Sequence, residues 1–224
     1  MEKRTDLALE ARESFPQDHV EVEGVVLKKR FDKENQILTT FVDIQDDKGS
    51  KAMKKPIGLY ITIESEELER EEINEALMRK IVWGICELCP NLEKKQVLVA
   101  GLGNLNVTSD SLGPKVANHI LATRHIEKEL GNAIMKENKW GNVSVMAPGV
   151  MADTGMEAVE VLKGIIRETN PQVLIVLDAL AARSLSRLCR TIQLTDTGIS
   201  PGSGVGNHRK ELSKQSLGIP VIAI

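Results

Sequence analysis

Two aspartates stand where continuous apolar runs end, and that placement is where the chain can do chemistry. Asp110 lies in the loop Gly101-Leu102-Gly103-Asn104-Leu105-Asn106-Val107-Thr108-Ser109-Asp110-Ser111-Leu112-Gly113-Pro114, directly after the run Val97-Leu98-Val99-Ala100. Asp178 closes a second run, Val173-Leu174-Ile175-Val176-Leu177. Two carboxylates held close together resist simultaneous ionisation, so one keeps its proton while the other stays charged. The charged one can activate water and the protonated one can polarise a peptide carbonyl, which is acid–base hydrolysis. The residue types do not say which aspartate is acid and which is base. A carboxylate that ends a buried strand is expensive unless paired or hydrated, which favours a site role for Asp178. Asp110 carries two readings, because beside Thr108 and Ser109 it also stands where a helix N-cap belongs.

Other loops share the rim on which these aspartates are expected. Gly103, Asn104 and Asn106 belong to the first loop. Ala147-Pro148-Gly149-Val150-Met151 follows another expected strand, and Asp196-Thr197-Gly198-Ile199-Ser200-Pro201-Gly202-Ser203-Gly204-Val205-Gly206-Asn207 follows a further one. Glycines there allow close backbone approach, so Gly149, Gly202 and Gly204 are expected in the wall of a cleft for an extended peptide. Asp196 is a reserve third carboxylate. Competing chemistries find little support. The dinucleotide fingerprint needs glycine where Asn106 stands, and no glycine loop runs into Gly-Lys-Ser/Thr. Ser184 and Ser203 lie in no G-x-S-x-G elbow. The carboxylates could instead hold a metal with His119 or His125, but those two lie six apart and do not share a helix face. Cys86-x-x-Cys89 has no second pair for zinc, so Cys86, Cys89 and Cys189 are expected as reduced thiols. No cofactor is called for.

The elements that must position these residues follow from periodicity. Val20 to Leu27, Ile37 to Ile44 and Ile57 to Ile63 read as strands of an antiparallel meander, with turns at Asp32-Lys33-Glu34-Asn35 and Asp46-Asp47-Lys48-Gly49. Ser65 offers a helix N-cap, and Ile73, Leu77, Ile81 and Ile85 mark one helix face, stopped by Pro90. Beyond Lys95 the rhythm becomes strand, loop, helix. Strands are expected at 97–102, 143–146, 173–177, 191–194 and 221–224, and helices at about 112–125, 154–168, 180–188 and 210–215. Continuous apolar strands alternating with helices predict an α/β fold with a mostly parallel sheet covered on both faces. Ligands of such sheets collect at strand carboxyl ends.

The 224 residues, 29 Lys and Arg against 32 Asp and Glu, give a net charge of −3 and no electrostatic footprint for nucleic acid. No run is long enough to span a membrane, and the polar start is unlike a signal peptide, so a cytoplasmic protein is expected. Residues 1–19 read as an N-terminal segment and 20–224 as one domain. Because the chain ends inside the apolar run Ile219 to Ile224, it is expected to be the N-terminal portion of a longer protein.

In their order these loops resemble the germination protease family of spore-forming bacteria. The resemblance rests on Arg4-Thr5-Asp6-Leu7-Ala8, the Gly101–Pro114 loop, Thr123-Arg124-His125, Ala147–Met151, Asp178-Ala179-Leu180-Ala181-Ala182-Arg183, the Asp196–Asn207 loop and Pro220-Val221-Ile222-Ala223-Ile224. It runs almost end to end and is looser between about Val20 and Lys95. It implies an endopeptidase that degrades small acid-soluble spore proteins when a spore germinates, in the spore core, assembled as a homotetramer. It implies an atypical aspartic peptidase whose two catalytic aspartates fall on Asp110 and Asp178. It further implies a fold similar to that of hydrogenase-maturation peptidases, some of which hold a metal with acidic side chains. Such enzymes are made as zymogens with a short pro-segment; here three residues precede the Arg4-Thr5-Asp6 motif.

Overall fold

The β-branched and aromatic runs of the first part of the chain form strands, and the alternating pattern that follows forms strands and helices in turn. The computed structural model describes residues 5–13, 22–69, 74–202 and 209–224. In chain order α1 (Ala8–Glu13), β1 (Val25–Asp32), β2 (Ile37–Ile44), α2 (Asp47–Met53), β3 (Gly58–Glu64) and α3 (Glu75–Leu88) come first. They are followed by β4 (Gln96–Gly101), α4 (Leu112–His119), α5 (Arg124–Leu130), α6 (Asn132–Glu137), β5 (Asn142–Met146), α7 (Met151–Thr154), α8 (Ala158–Thr169) and β6 (Val173–Leu177). The chain finishes with β7 (Thr191–Thr195), α9 (Lys214–Leu217) and β8 (Val221–Ala223). The fold is α/β. It divides into two compact units, one from Met1–Leu88, Leu180–Thr197 and Gly202–Asn207, the other from Cys89–Ala179, Gly198–Pro201 and His208–Ile224. Among the described residues no helix is long and apolar enough to cross a membrane.

The first unit is the meander plus one strand. β1 pairs antiparallel with β2 from Val25↔Ile44 to Asp32↔Ile37, and β2 pairs with β3. The Asp32 carboxylate closes the β1–β2 turn by accepting the Glu34 and Asn35 N–H groups, each at 3.1 Å. β7 adds to the far edge of β3, antiparallel, from Tyr60↔Thr195 to Glu64↔Thr191. This corrects the expectation that 191–194 continues a parallel series. Ala8, Val42, Ile44, Met53 and Tyr60 form one buried cluster, and Gly84 of α3 lets that helix sit against Leu194 of β7.

Asp46-Asp47-Lys48-Gly49 is not a turn but the start of α2. Extended Asp46 is its N-cap, with Oδ1 accepting the Gly49 N–H at 2.8 Å. Asp46→Ala is therefore expected to lower stability by about 1 kcal/mol, read as a shift in the denaturation midpoint. Ser65 precedes only a 3-10 turn, Glu66–Glu69; the helix proper starts at Glu75, where the Asn74 side chain accepts the Ala76 N–H at 2.7 Å. Val20 and Ile73 lie outside the described residues.

The second unit holds the parallel strands, ordered β8-β6-β4-β5. Its core joins Leu98 and Ala100 of β4, Leu174 and Val176 of β6, Val221 of β8, and Val159 and Leu162 of α8. α8 begins at Ala158, where Glu157 and Glu160 form a capping box. The expected helix at 112–125 is two helices. α4 stops at Ile120, and Thr123 ties the chain to β5 through its N–H to the Val143 carbonyl and its hydroxyl to the Gly141 carbonyl. Residues 180–188 are not a helix either, but an irregular stretch with one 3-10 turn, Leu185–Arg187. The three cysteines are free thiols.

Candidate active site

A parallel sheet sends all its strand carboxyl ends to one edge, where the β–α turns gather. In the second unit β4 and β6 are neighbours, in register from Val97↔Val173 to Gly101↔Leu177. The ladder runs one residue further, the Leu102 N–H donating to the Leu177 carbonyl at 2.8 Å. Asp178 follows Leu177 directly, and Leu102 opens the glycine loop that carries Asp110. The two aspartates therefore leave from the carboxyl ends of adjacent strands, and both are half-buried.

Asp178 is fixed at the backbone. Its N–H donates to the Ile224 carbonyl at 3.0 Å, and the Ile224 N–H returns to the Val176 carbonyl at 2.9 Å. Its Oδ1 accepts the N–H of Ala179 at 2.9 Å.

Asp110 is held by the loop it closes. Its Oδ2 accepts the Asn104 N–H at 2.8 Å. The chain turns back at Gly103, whose φ is +114°; a Cβ there would lie 2.0 Å from the Asp110 carbonyl oxygen and 3.1 Å from its Oδ1. Only glycine allows that approach. Helix capping is not the task of Asp110. It ends a 3-10 turn, Thr108–Asp110, and the residue flanking α4 is Ser111, whose hydroxyl goes back to the Thr108 carbonyl at 3.0 Å.

The Asn104 side chain organises the rest of the loop. Its Oδ1 accepts the Asn106 N–H at 2.9 Å, and its Nδ2 makes a long contact of 3.5 Å with Oδ2 of Asp153. Asp153 lies on α7, just beyond Gly149, which adopts φ +75° in the loop after β5. The strand pattern does not single out Asp153, because it ends no apolar run. Its only sequence signal is an acid two residues beyond the Ala147–Met151 loop. Gly103, Asn104, Asn106, Asp110, Gly149 and Asp178 thus all belong to the second unit.

Asp196 belongs to the first. It follows β7 and is exposed, and its Oδ1 accepts the Leu59 N–H at 2.9 Å, pinning the start of β3. Gly202 lies in a turn with φ +74°, and Ile199 and Leu212 exchange two backbone hydrogen bonds of 3.0 and 2.8 Å near the foot of that loop. Gly204 and Ser203 lie outside the described residues.

A catalytic zinc takes three protein ligands, and among the described residues no three His, Cys, Asp or Glu side chains cluster. His119 turns its Nδ1 to the Lys115 carbonyl at 2.8 Å on its own helix.

Comparison with known proteins agrees with the loop pattern. A family model described as germination protease matches residues 2–224. A germination protease of Clostridium perfringens (strain ATCC 13124) is 43% identical over 224 residues, covering 99% of this chain and 68% of its own length. One from Caldanaerobacter subterraneus subsp. tengcongensis is 46% identical over 227 residues, covering 99% and 67%. One from Bacillus cereus (strain G9842) is 44% identical over 229 residues, covering 99% and 61%. With matches of this length and identity, the chain belongs to the germination protease family, endopeptidases of spore-forming bacteria.

Proposed function

We propose that Asp110 and Asp178 are the water-activating pair of an endopeptidase that begins the degradation of small acid-soluble spore proteins at germination. One observation carries this reading: the two aspartates leave the carboxyl ends of adjacent parallel strands, β4 and β6. The ionised carboxylate takes a proton from water as the water attacks the scissile carbonyl. The protonated partner hydrogen-bonds the carbonyl oxygen as it gains charge, and a carboxyl proton then passes to the leaving amine. Gly103, Asn104, Asn106 and Gly149 would line the substrate cleft, offering backbone groups to an extended chain.

The four-stranded parallel sheet of the second unit supports a likeness to the hydrogenase-maturation peptidase fold. The homotetramer and the spore-core location rest on the family resemblance. Met78 and Val82, exposed one turn apart on α3, supply an apolar stripe for subunit contact.

The test is incubation of the purified protein with a small acid-soluble spore protein, followed by mapping of the fragments. Internal cleavage is expected, unaffected by chelator and absent from an Asp110→Asn/Asp178→Asn double variant that keeps the parental melting temperature. A double variant that cleaves at the parental rate would overturn the pair.

A further inference from the structure

Every polar group of Asn104 has a partner within the second unit. Its N–H donates to Oδ2 of Asp110 at 2.8 Å, and its carbonyl accepts the Val107 N–H at 3.1 Å. Its side-chain Oδ1 accepts the Asn106 N–H at 2.9 Å, and its Nδ2 faces Oδ2 of Asp153 at 3.5 Å. Asp110 ties back to the same turn, its own N–H donating to the Val107 carbonyl at 2.9 Å. The residue that binds the Asp110 carboxylate is thus the one about which the chain from 104 to 107 turns.

Lining a cleft with backbone groups does not need this side chain. A carboxamide accepts with its oxygen and donates with its nitrogen, and both ends are used here. Alanine would leave the Asn106 N–H without its acceptor. Aspartate would keep the acceptor, lose the donor, and add a negative charge between Asp110 and Asp153. Asp153 is exposed on α7, and among the described residues its side chain has no partner besides Asn104. A contact of 3.5 Å binds weakly. What it does is choose an orientation: the carboxylate takes the NH2 end of the amide, which leaves the oxygen for Asn106.

The way Asp110 is held gives that restraint a use. Its Oδ2 is taken by the Asn104 N–H, and its Oδ1 has no hydrogen-bond partner among the described residues. A carboxylate held by one oxygen presents the other in a fixed direction, and proton transfer needs the group within hydrogen-bond reach of the reacting atom.

We propose that Asn104, oriented by Asp153, is a positioning residue that holds Asp110 by Oδ2 and leaves Oδ1 to exchange the proton. The inference rests on the reading of Asp110 as catalytic. Without the carboxamide the loop populates other conformations and the fraction of molecules with Asp110 in place falls. kcat then falls while KM holds.

The test uses the purified full chain and a small acid-soluble spore protein as substrate. Steady-state kinetics are measured across pH, well below each variant's melting temperature. Asn104→Ala keeps the backbone N–H and is expected to lower kcat about tenfold or more, with KM within about twofold. Asn104→Asp keeps the acceptor for Asn106 but places a charge beside Asp110, so the pH profile of kcat is expected to move to higher pH. Asp153→Ala is expected to lower kcat less. Because Asp153 acts through Asn104, the Asn104→Ala/Asp153→Ala double variant is expected to match Asn104→Ala alone. A parental kcat in Asn104→Ala, or a rise in KM alone, would overturn the proposal, as would an unmoved pH profile in Asn104→Asp. A double variant in which the two losses multiply would remove Asp153 from it. If Asn104→Ala does not fold, the pH profile of Asn104→Asp and the kcat of Asp153→Ala decide. Asp110→Asn is assayed beside them. If it is inactive while Asn104→Ala is fully active, only the positioning role falls; if it is active, the aspartate-pair reading falls first and the proposal with it.

Discussion

Asp178→Asn and Asp110→Asn are each expected to lower kcat about a thousandfold or more, with KM changed little. Asparagine has the shape of aspartate and keeps one oxygen that accepts. At position 178 that oxygen can still take the Ala179 N–H, and at position 110 it can still take the Asn104 N–H, bonds of 2.9 and 2.8 Å in the parent. The loops therefore stay closed and the substrate still binds. The amide cannot carry the proton. A thousandfold loss corresponds to about 4 kcal/mol of barrier, the scale of one essential acid–base group. The two residues act on one proton inventory, so their effects should not multiply. The double variant is expected to be within about tenfold of the worse single one. Steady-state kinetics on a purified protein substrate, with melting temperatures as the control for folding, decides this. Full activity in either single variant would sink the pair.

Gly113→Ala is expected to be strongly damaging although it adds a single methyl group. In an ordinary helix, alanine would stabilise relative to glycine by about 1 kcal/mol. Here the added Cβ would stand 2.2 Å from the Leu102 carbonyl oxygen, 2.4 Å from the Leu177 carbonyl oxygen and 2.7 Å from the Leu102 nitrogen. These are backbone atoms of the β4–β6 ladder, and none can swing aside. α4 must lift off or the Leu102–Leu177 hydrogen bond must break. Overpacking of this kind costs about 3 kcal/mol or more. For a chain of this size that lowers the melting temperature by roughly 6–12 °C. Activity should fall as well, since the displaced atoms precede Asp178 and open the loop of Asp110. Gly164→Ala on α8 is the matched control. Its Cβ would meet nothing within 4 Å, so a gain of about 0.5–1 kcal/mol is expected. Scanning calorimetry of both variants checks the sign and the size, and a neutral Gly113→Ala would contradict the close packing.

The strands that carry the aspartates were legible because a buried parallel strand is an unbroken apolar run. Val97 to Ala100 and Val173 to Leu177 announce themselves, and so do their ends. Direction was not legible in the same way. Thr191 to Thr195 has the composition of any strand, and only its partner, β3, makes it antiparallel. Local propensity misled at two places for identifiable reasons. Asp46 to Gly49 has turn residues, but an aspartate one step before a helix serves as its cap. Residues 180–188 favour a helix by composition, yet their backbone is tied to Asp6 and Glu10, more than 170 positions earlier, which accept the N–H groups of Ala181, Arg183 and Ser184. Within the site, the hydrogen bond from Asn104 to Asp110 and the contact with Asp153 depend on how the loop folds over Gly103, which no periodicity encodes.

The first unit is assembled from pieces made at different times. β1 to β3 leave the ribosome early, but β7, which completes their sheet, is more than a hundred residues later in the chain. At 5–20 residues per second, β3 waits roughly 5–25 s with an open edge. The residues it presents meanwhile include Tyr60, Ile61 and Ile63, all buried in the finished protein. An unpaired apolar strand edge invites pairing with other nascent chains. α1 waits longer still for its partners, because the amides that Glu10 binds and the Gln193 side chain that anchors Ala8 are synthesised more than 170 residues after it. Vectorial synthesis thus leaves α1 among the last parts of the unit to settle, and the nascent chain depends on whatever shields that edge in the interval.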